Sequence, residues 1–131
     1  MASKGGDRIM ELKNRSQYLD KLISVQNMEV IKVVTGIRRC GKSSLLKLMM
    51  AHLREQGVME EQILSMNFES MQFADMDSKS LYQYVMERAP KGKRLYLFLD
   101  EVQKVRDWQD AVNSFRVDLY CDIYVTGSNA Y

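Results

Sequence analysis

Residues 36–43 read Gly36-Ile37-Arg38-Arg39-Cys40-Gly41-Lys42-Ser43, which is an unbroken G-x-x-x-x-G-K-[ST] pattern. The two glycines of such an octet allow backbone turns that a Cβ would obstruct, so that the loop amides cradle phosphate oxygens. Lys42 would reach the β- and γ-phosphates, the only partner that the sequence indicates for it, and the Ser43 hydroxyl would ligate Mg²⁺. Ser43 is also expected to open a helix, whose N-terminal dipole favours anions. We therefore predict that Gly36 to Ser44 bind the phosphates of a nucleotide.

The flanks of the octet have the pattern that such a loop requires. Residues 30–35 are largely β-branched and apolar, which predicts a buried strand. After the octet, leucines and methionines recur at helical spacing as far as Gly57, which suits a helix C-terminus. The alternative is a glycine turn that binds nothing, and the strand before it and the helix after it argue against that alternative.

Strands and helices alternate along the rest of the chain. We predict helices over residues 9–23, from Asp77 or Ser78 to about Arg88, and from near Asp107 or Asp110, and strands over 63–68, 94–99 and 122–126. This alternation predicts an α/β fold of the P-loop NTPase type, a parallel sheet flanked by helices. The polar motifs follow Thr35, Leu99 and Val125, so one edge of the sheet can hold the whole site.

Composition sets the class of protein. With 46% hydrophobic and 27% charged residues, the 131-residue chain is typical of a soluble globular domain. A net charge of +2 supports neither nucleic acid nor a membrane as a partner, and no hydrophobic signal core precedes residue 15. The two cysteines lack C-x-x-C spacing, which favours free thiols in the cytoplasm. We predict a lead-in and helix start over residues 1–14 and an ATPase domain over residues 15–131.

Two acidic residues follow the third predicted strand. Asp100 comes after an apolar run, the pattern of a Walker B carboxylate that holds the Mg²⁺ shell directly or through water. Glu101, the next residue, can orient and deprotonate the water that attacks a γ-phosphate. The alternative is a polar turn after a buried strand. The adjacent Glu, and the lack of an N-K-x-D motif in the sequence, favour ATP hydrolysis over GTP binding.

Other polar residues near the predicted site have open assignments. Thr126, Ser128 and Asn129 lie at the end of the fourth strand and can reach the γ-phosphate or the attacking water, although a plain turn explains them equally well. Arg38 and Arg39 can pair with phosphate or with the two acids, or face solvent. Cys40 lies beside the phosphates, and no role for its thiol follows.

Three segments together resemble the predicted ATPases of the AAA+ superfamily in bacteria and archaea. They are residues 33–46 with G-x-R-R-x-G-K-[ST], 97–103 with L-D-E-[IV]-Q, and 123–130 with T-G-S-[NS]-A. The resemblance spans about residues 15–130 and implies an additional-strand, catalytic-glutamate fold with strand order 2-3-4-1-5. It implies binding and hydrolysis of ATP with Mg²⁺. It also implies catalytic roles for Lys42, Glu101 and Asn129 and a phosphate contact for Ser128.

The family pattern continues beyond the last residue of this chain, Tyr131. The resemblance implies a fifth strand, later helices and often a C-terminal domain, so we expect an incomplete ATPase domain. The P-loop strand would then lie at a sheet edge, which favours self-association. The expected partners are ATP, a second copy and a further C-terminal domain of the full-length protein. Two alternatives remain open, namely a nucleotide-binding switch without useful turnover and a small-molecule kinase.

Overall fold

A computed structural model describes residues 15–28, 30–34 and 39–127 of the chain. Its strands are β1 (Lys32–Val34), β2 (Ile63–Asn67), β3 (Leu95–Asp100) and β4 (Cys121–Thr126). Its helices are α1 (Arg15–Ser24), α2 (Arg39–Glu55), α3 (Ser78–Arg88) and α4 (Trp108–Asp118), and short 3-10 turns span Glu60–Gln62, Met71–Phe73 and Val102–Lys104. Among these helices, none has the length and apolar character needed to cross a membrane.

The four strands form one parallel sheet in the order β1-β4-β3-β2. This order confirms the predicted arrangement for the first four strands. Within the described part of the chain, β1 pairs only with β4 and therefore lies at a sheet edge. Because all strands run the same way, the carboxyl ends of β1, β3 and β4 meet at one end of the sheet, as the alternating pattern predicted.

Helices cover both faces of the sheet. On one face, α1 and α2 pack against a cluster that includes Phe98 and Tyr124, whose rings stack with centroids 4.8 Å apart. On the other face, α3 and α4 pack against Leu97, Leu99 and Val125. Every residue of β3 is buried, which agrees with the continuous apolar run that predicted a central strand.

Several element boundaries differ from the predictions by a residue, and those on either side of the octet differ by more. Helix α2 begins at Arg39, four residues before Ser43, so that the second half of the octet lies in the first helical turns. A single glycine inside a helix costs only about 1 kcal/mol, and the leucines and methionines of α2 bury one face of the helix. Within the described residues strand β1 spans Lys32–Val34, so that residues 30 and 31 of the predicted strand precede it, and pairing with β4 runs from Lys32 opposite Tyr124 to Val34 opposite Thr126.

The predicted cap of α3 is confirmed. Asp77 Oδ1 accepts a hydrogen bond from the backbone N–H of Ser80 at 3.0 Å, and the Ser80 hydroxyl accepts one from the Asp77 N–H at 2.9 Å. The bond from the Ser80 backbone lowers the pKa of Asp77, because it favours the charged carboxylate. The predicted helix over 9–23 begins, within the described residues, at Arg15.

A buried polar network ties β1 to β4 at the amino end of the sheet. We call it the Asp122 network, and its members are Asn27, Lys32, Asp122 and Tyr124. The Lys32 ammonium donates to Asp122 Oδ1, while Asp122 Oδ2 accepts from the Asn27 N–H at 2.9 Å and from the Tyr124 hydroxyl at 2.7 Å. Burial and the bond to Asp122 raise the pKa of Tyr124 above its ordinary value. The network fixes the segment before β1 to the amino end of β4.

Candidate functional site

Asp100 is the centre of the polar cluster at the carboxyl end of the sheet. It is the last residue of β3 and is 7% exposed. The Ser43 hydroxyl donates to Asp100 Oδ2 at 2.5 Å, and the Thr126 hydroxyl donates to Asp100 Oδ1. Both carboxylate oxygens are therefore held by hydroxyl groups, one from α2 and one from the end of β4. The two residues predicted to hold Mg²⁺, 57 positions apart in sequence, are in direct contact.

This pair has the donor chemistry that Mg²⁺ prefers. A hydroxyl and a carboxylate are hard oxygen ligands, and Mg²⁺ at nucleotide sites commonly takes one or two protein groups together with phosphate oxygens and water. The described residues include no cluster of three or more His, Cys, Asp or Glu side chains able to hold a metal ion. Ser43 and Asp100 are two oxygen ligands of the kind that proteins contribute to Mg²⁺ at nucleotide sites.

Glu101 leaves the sheet through an unusual backbone conformation. Its φ of 60° and ψ of 48° lie in the left-handed region, which costs a residue with a Cβ about 1–2 kcal/mol. The Glu101 N–H donates to the Thr126 hydroxyl oxygen at 3.0 Å, so one threonine fixes both the Asp100 carboxylate and the following turn. Backbone strain of this kind is concentrated at functional sites.

The Glu101 carboxylate lies between two partners. Its Oε1 accepts a hydrogen bond from Gln103 Nε2 at 2.8 Å, and its Oε2 is 3.9 Å from Lys42 Nζ. The side chains of Lys42 and Glu101 are 7% and 16% exposed. A buried charge requires a partner, and without phosphate Glu101 is the acid within reach of Lys42. The expectation that Lys42 has phosphate as its only partner is therefore wrong.

Several predicted site residues lie outside the described residues. These are Gly36, Ile37, Arg38, Ser128 and Asn129, and the side chains of Arg39 and Cys40 are likewise outside. Gly41 is buried, and Ser44 follows Ser43 in α2. The structure thus brings together Lys42, Ser43, Asp100 and Glu101, and the contacts expected of the other residues stay predictions.

Sequence reasoning missed Gln103 and assigned Thr126 too narrowly. The phosphate contact expected of the segment that includes Thr126 stays a prediction, and the structure adds a bond from the Thr126 hydroxyl to Asp100 and one from the Glu101 amide to the Thr126 oxygen. Gln103 was quoted within the Walker B segment without a role. The signal that could have found it is a polar side chain two residues after Glu101, between the apolar residues Val102 and Val105.

The sequence was compared with known proteins. The family described as an AAA domain matches residues 28–131, which include the octet, the two acids and the segment at the end of β4. An uncharacterized protein of Haemophilus influenzae is 40% identical to this chain over 119 residues. The aligned region covers 89% of this chain and 30% of that protein, so the chain spans less than a third of the length of this relative.

Proposed function

The chain belongs to the AAA domain family, which is of nucleotide-binding ATPase type, and from this premise we propose that it binds ATP with Mg²⁺ and hydrolyses it. One observation carries the proposal. Ser43 bonds to Asp100, and Lys42 pairs with Glu101, at the carboxyl end of the parallel sheet. Two residues of the proposed phosphate loop therefore contact the acid proposed to hold the metal and the glutamate that follows it. Phosphoryl transfer to water requires these groups to lie close together.

Each of these residues has a distinct part in the proposed reaction. Lys42 would bind the β- and γ-phosphates, while Ser43 and Asp100 would hold Mg²⁺, which would neutralise phosphate charge when bound. Glu101 accepts a proton as the oxygen of a water molecule forms a bond to the γ-phosphorus and the bond to the ADP oxygen breaks. We include in the proposal the phosphate contacts of residues 36–41, Ser44 and Ser128 and a catalytic role for Asn129.

The ion pair between Lys42 and Glu101 adds a step to this scheme. The ammonium of Lys42 lies 3.9 Å from the carboxylate of Glu101. A triphosphate carries more negative charge than one carboxylate and would draw the ammonium toward itself. Nucleotide binding would then release the glutamate from its cation at the moment when it is needed as a base.

Replacement of Glu101 by Gln tests the proposal. Gln is nearly isosteric but cannot accept the proton, so we expect ATP hydrolysis to fall by about 10²–10⁴-fold while ATP binding is kept. Binding should become slightly tighter, because Lys42 no longer has a carboxylate partner. Phosphate release and equilibrium titration of one sample give both quantities, and Glu87→Gln, an exposed site on α3, is the matched control. Hydrolysis by Glu101→Gln at the parent rate would place the base elsewhere.

A nucleotide-binding switch without useful turnover is the second candidate. The observation that favours it is the same ion pair, since phosphate would compete with Glu101 for Lys42 and so change the contacts at the end of β3. ATP binding without phosphate release by the unmodified protein would select this candidate.

A cytoplasmic location, self-association through the edge of β1 and a further C-terminal domain also belong to the proposal. The exposed side chain of Val33 on β1 supports self-association through the edge of that strand.

A further inference from the structure

We propose that Gln103 is a positioning residue that sets the orientation of the Glu101 carboxylate, an inference that rests on the proposed ATP hydrolysis. The observation is a hydrogen bond of 2.8 Å from Gln103 Nε2 to Glu101 Oε1. The two residues are separated only by Val102, and the left-handed backbone at Glu101 followed by the 3-10 turn over Val102–Lys104 sets the path of the chain between them.

The turn that carries Gln103 is anchored on both sides. Glu101 takes the left-handed conformation, and the 3-10 turn that follows is closed by bonds from Lys104 N to Glu101 O at 3.2 Å and from Val105 N to Val102 O at 3.0 Å. Val102 and Val105 are 0% and 2% exposed and belong to the core under α3 and α4. Gln103 therefore projects from a backbone that the core fixes on either side.

The polarity of the contact is set by chemistry. An ionised carboxylate only accepts hydrogen bonds, so the nitrogen of the Gln103 amide must face Glu101. The other end of the amide, Oε1, is buried and has no hydrogen-bond partner among the described residues. A buried acceptor without a partner is destabilising, so packing alone would favour an apolar side chain at this position. The amide provides what an apolar side chain cannot, namely the hydrogen bond to Glu101.

A neutral hydrogen-bond donor is a better permanent partner for a general base than a cation is, because it leaves the charge of the base in place. Lys42 pairs with the other carboxylate oxygen, and phosphate would compete for that lysine. The bond from Gln103 does not depend on the lysine and holds the carboxylate after the ammonium has moved. Because the amide carries no charge, it orients the carboxylate without cancelling the charge that attracts the proton of water. Misplacement of a catalytic group by about 1 Å can cost on the order of 100-fold in rate.

The kinetic test uses Gln103→Met, which keeps the length of the side chain and removes the donor. We expect kcat for ATP hydrolysis to fall by about 10- to 100-fold, with the Kd for ATP unchanged. Gln109→Met, an exposed site on α4, is the matched control and should leave both values unchanged. Gln103→Glu keeps shape and replaces the donor by an oxygen, so it should be at least as impaired. A kcat for Gln103→Met equal to that of the parent, or full activity in Gln103→Glu, overturns the inference.

A second measurement separates the inference from the proposed function. In protein labelled with ¹⁵N in its glutamine side chains, the amide signal of Gln103 is the one missing from Gln103→Met. That signal should move in Glu101→Ala and stay in place in Glu87→Ala. An unmoved signal in Glu101→Ala overturns the inference whatever the activity. If the unmodified protein releases no phosphate, the proposed function fails, and the NMR result alone decides whether Gln103 holds Glu101.

Discussion

Two buried aspartates, at opposite ends of the sheet, are held in different ways. Asp122, 1% exposed, has the Lys32 ammonium as a direct partner and also accepts from the Asn27 amide and the Tyr124 hydroxyl. Asp100, 7% exposed, accepts from the hydroxyls of Ser43 and Thr126, and within the described residues no cationic side chain pairs with it. The charge of Asp122 is therefore neutralised by Lys32, whereas the described contacts of Asp100 are with neutral hydroxyl groups.

The comparison distinguishes a buried carboxylate that stabilises the fold from a buried carboxylate in a candidate functional site. Removing one partner of a buried ion pair leaves the other charge uncompensated, so the Asp122 network contributes to stability only as a complete unit. Hydroxyl donors hold Asp100 in place, and in the proposed function Mg²⁺ would supply its counter-charge. The same type of residue therefore fastens two strands at one end of the sheet and is proposed to bind a metal at the other.

The largest expected effect comes from the same substitution made at both ends. Asp122→Asn leaves Lys32 buried without a counter-charge, and we expect the free energy of unfolding to fall by about 3–5 kcal/mol. Asp100→Asn breaks no ion pair among the described residues and should change it by less than about 1 kcal/mol. Urea denaturation of both variants measures the difference. Equal losses in the two variants would remove the distinction between the two aspartates.

The next effect concerns the cation of the candidate site. Lys42→Ala should lose about 2 kcal/mol of ATP binding, because a charge-assisted contact to phosphate is removed while the fold is kept. Lys47→Ala, an exposed lysine on the same helix, is the control and should bind ATP as the parent does. Isothermal titration gives the affinities. Parent-like affinity in Lys42→Ala would contradict the phosphate-loop assignment.

Asp100→Asn should have a smaller effect that depends on the metal. ATP binding measured with Mg²⁺ and with EDTA should differ in the parent protein, and we expect the variant to lose roughly 10-fold of the Mg²⁺-dependent gain. The exposed Asp110 on α4 provides the control variant, Asp110→Asn. An undiminished response to Mg²⁺ in Asp100→Asn would show that Asp100 does not hold the metal.

The smallest effect is expected at the amino end of the sheet at high pH. Burial, followed by the nearby charge of Asp122, raises the pKa of the Cys121 thiol to about 11. Between about pH 9 and pH 11 the folded state thus holds a proton that the unfolded state has lost, so stability falls as the pH rises through this window. Unfolding at pH 8, 9 and 10 should reveal that fall, and Cys121→Ala should reduce it. An identical fall in the variant would assign it to other groups.

Much of the carboxyl-end site was predictable because its motifs lie at strand ends. The octet, the acids after β3 and the parallel sheet together place Ser43 and Asp100 at one edge, and the structure confirms that they meet. The family match likewise confirms the resemblance to AAA+ ATPases. The sheet order followed from that resemblance rather than from the residue pattern. These features depend on local pattern and topology, which a sequence carries directly.

The contacts that escaped prediction depend on side chains that meet across the fold. Lys42 and Glu101 pair because the first turns of α2 lie beside the end of β3, a geometry that helix α2 sets by beginning at Arg39. Lys32 and Asp122 are 90 residues apart, and a charged residue within a short strand gave no sign of its partner. Gln103 required the left-handed turn at Glu101, which sequence pattern does not predict for glutamate.

The left-handed backbone at Glu101 has a consequence for how this protein can vary. Glycine adopts that conformation without steric cost, and asparagine tolerates it well, so either residue would relieve strain at position 101. Selection for a stable fold alone would therefore move this position away from glutamate. A chain that keeps glutamate at position 101 has a carboxylate at the end of the sheet at a cost in thermodynamic stability. In proteins of this fold engineered only for heat resistance, this position would tend to change to another residue, and the carboxylate would be lost.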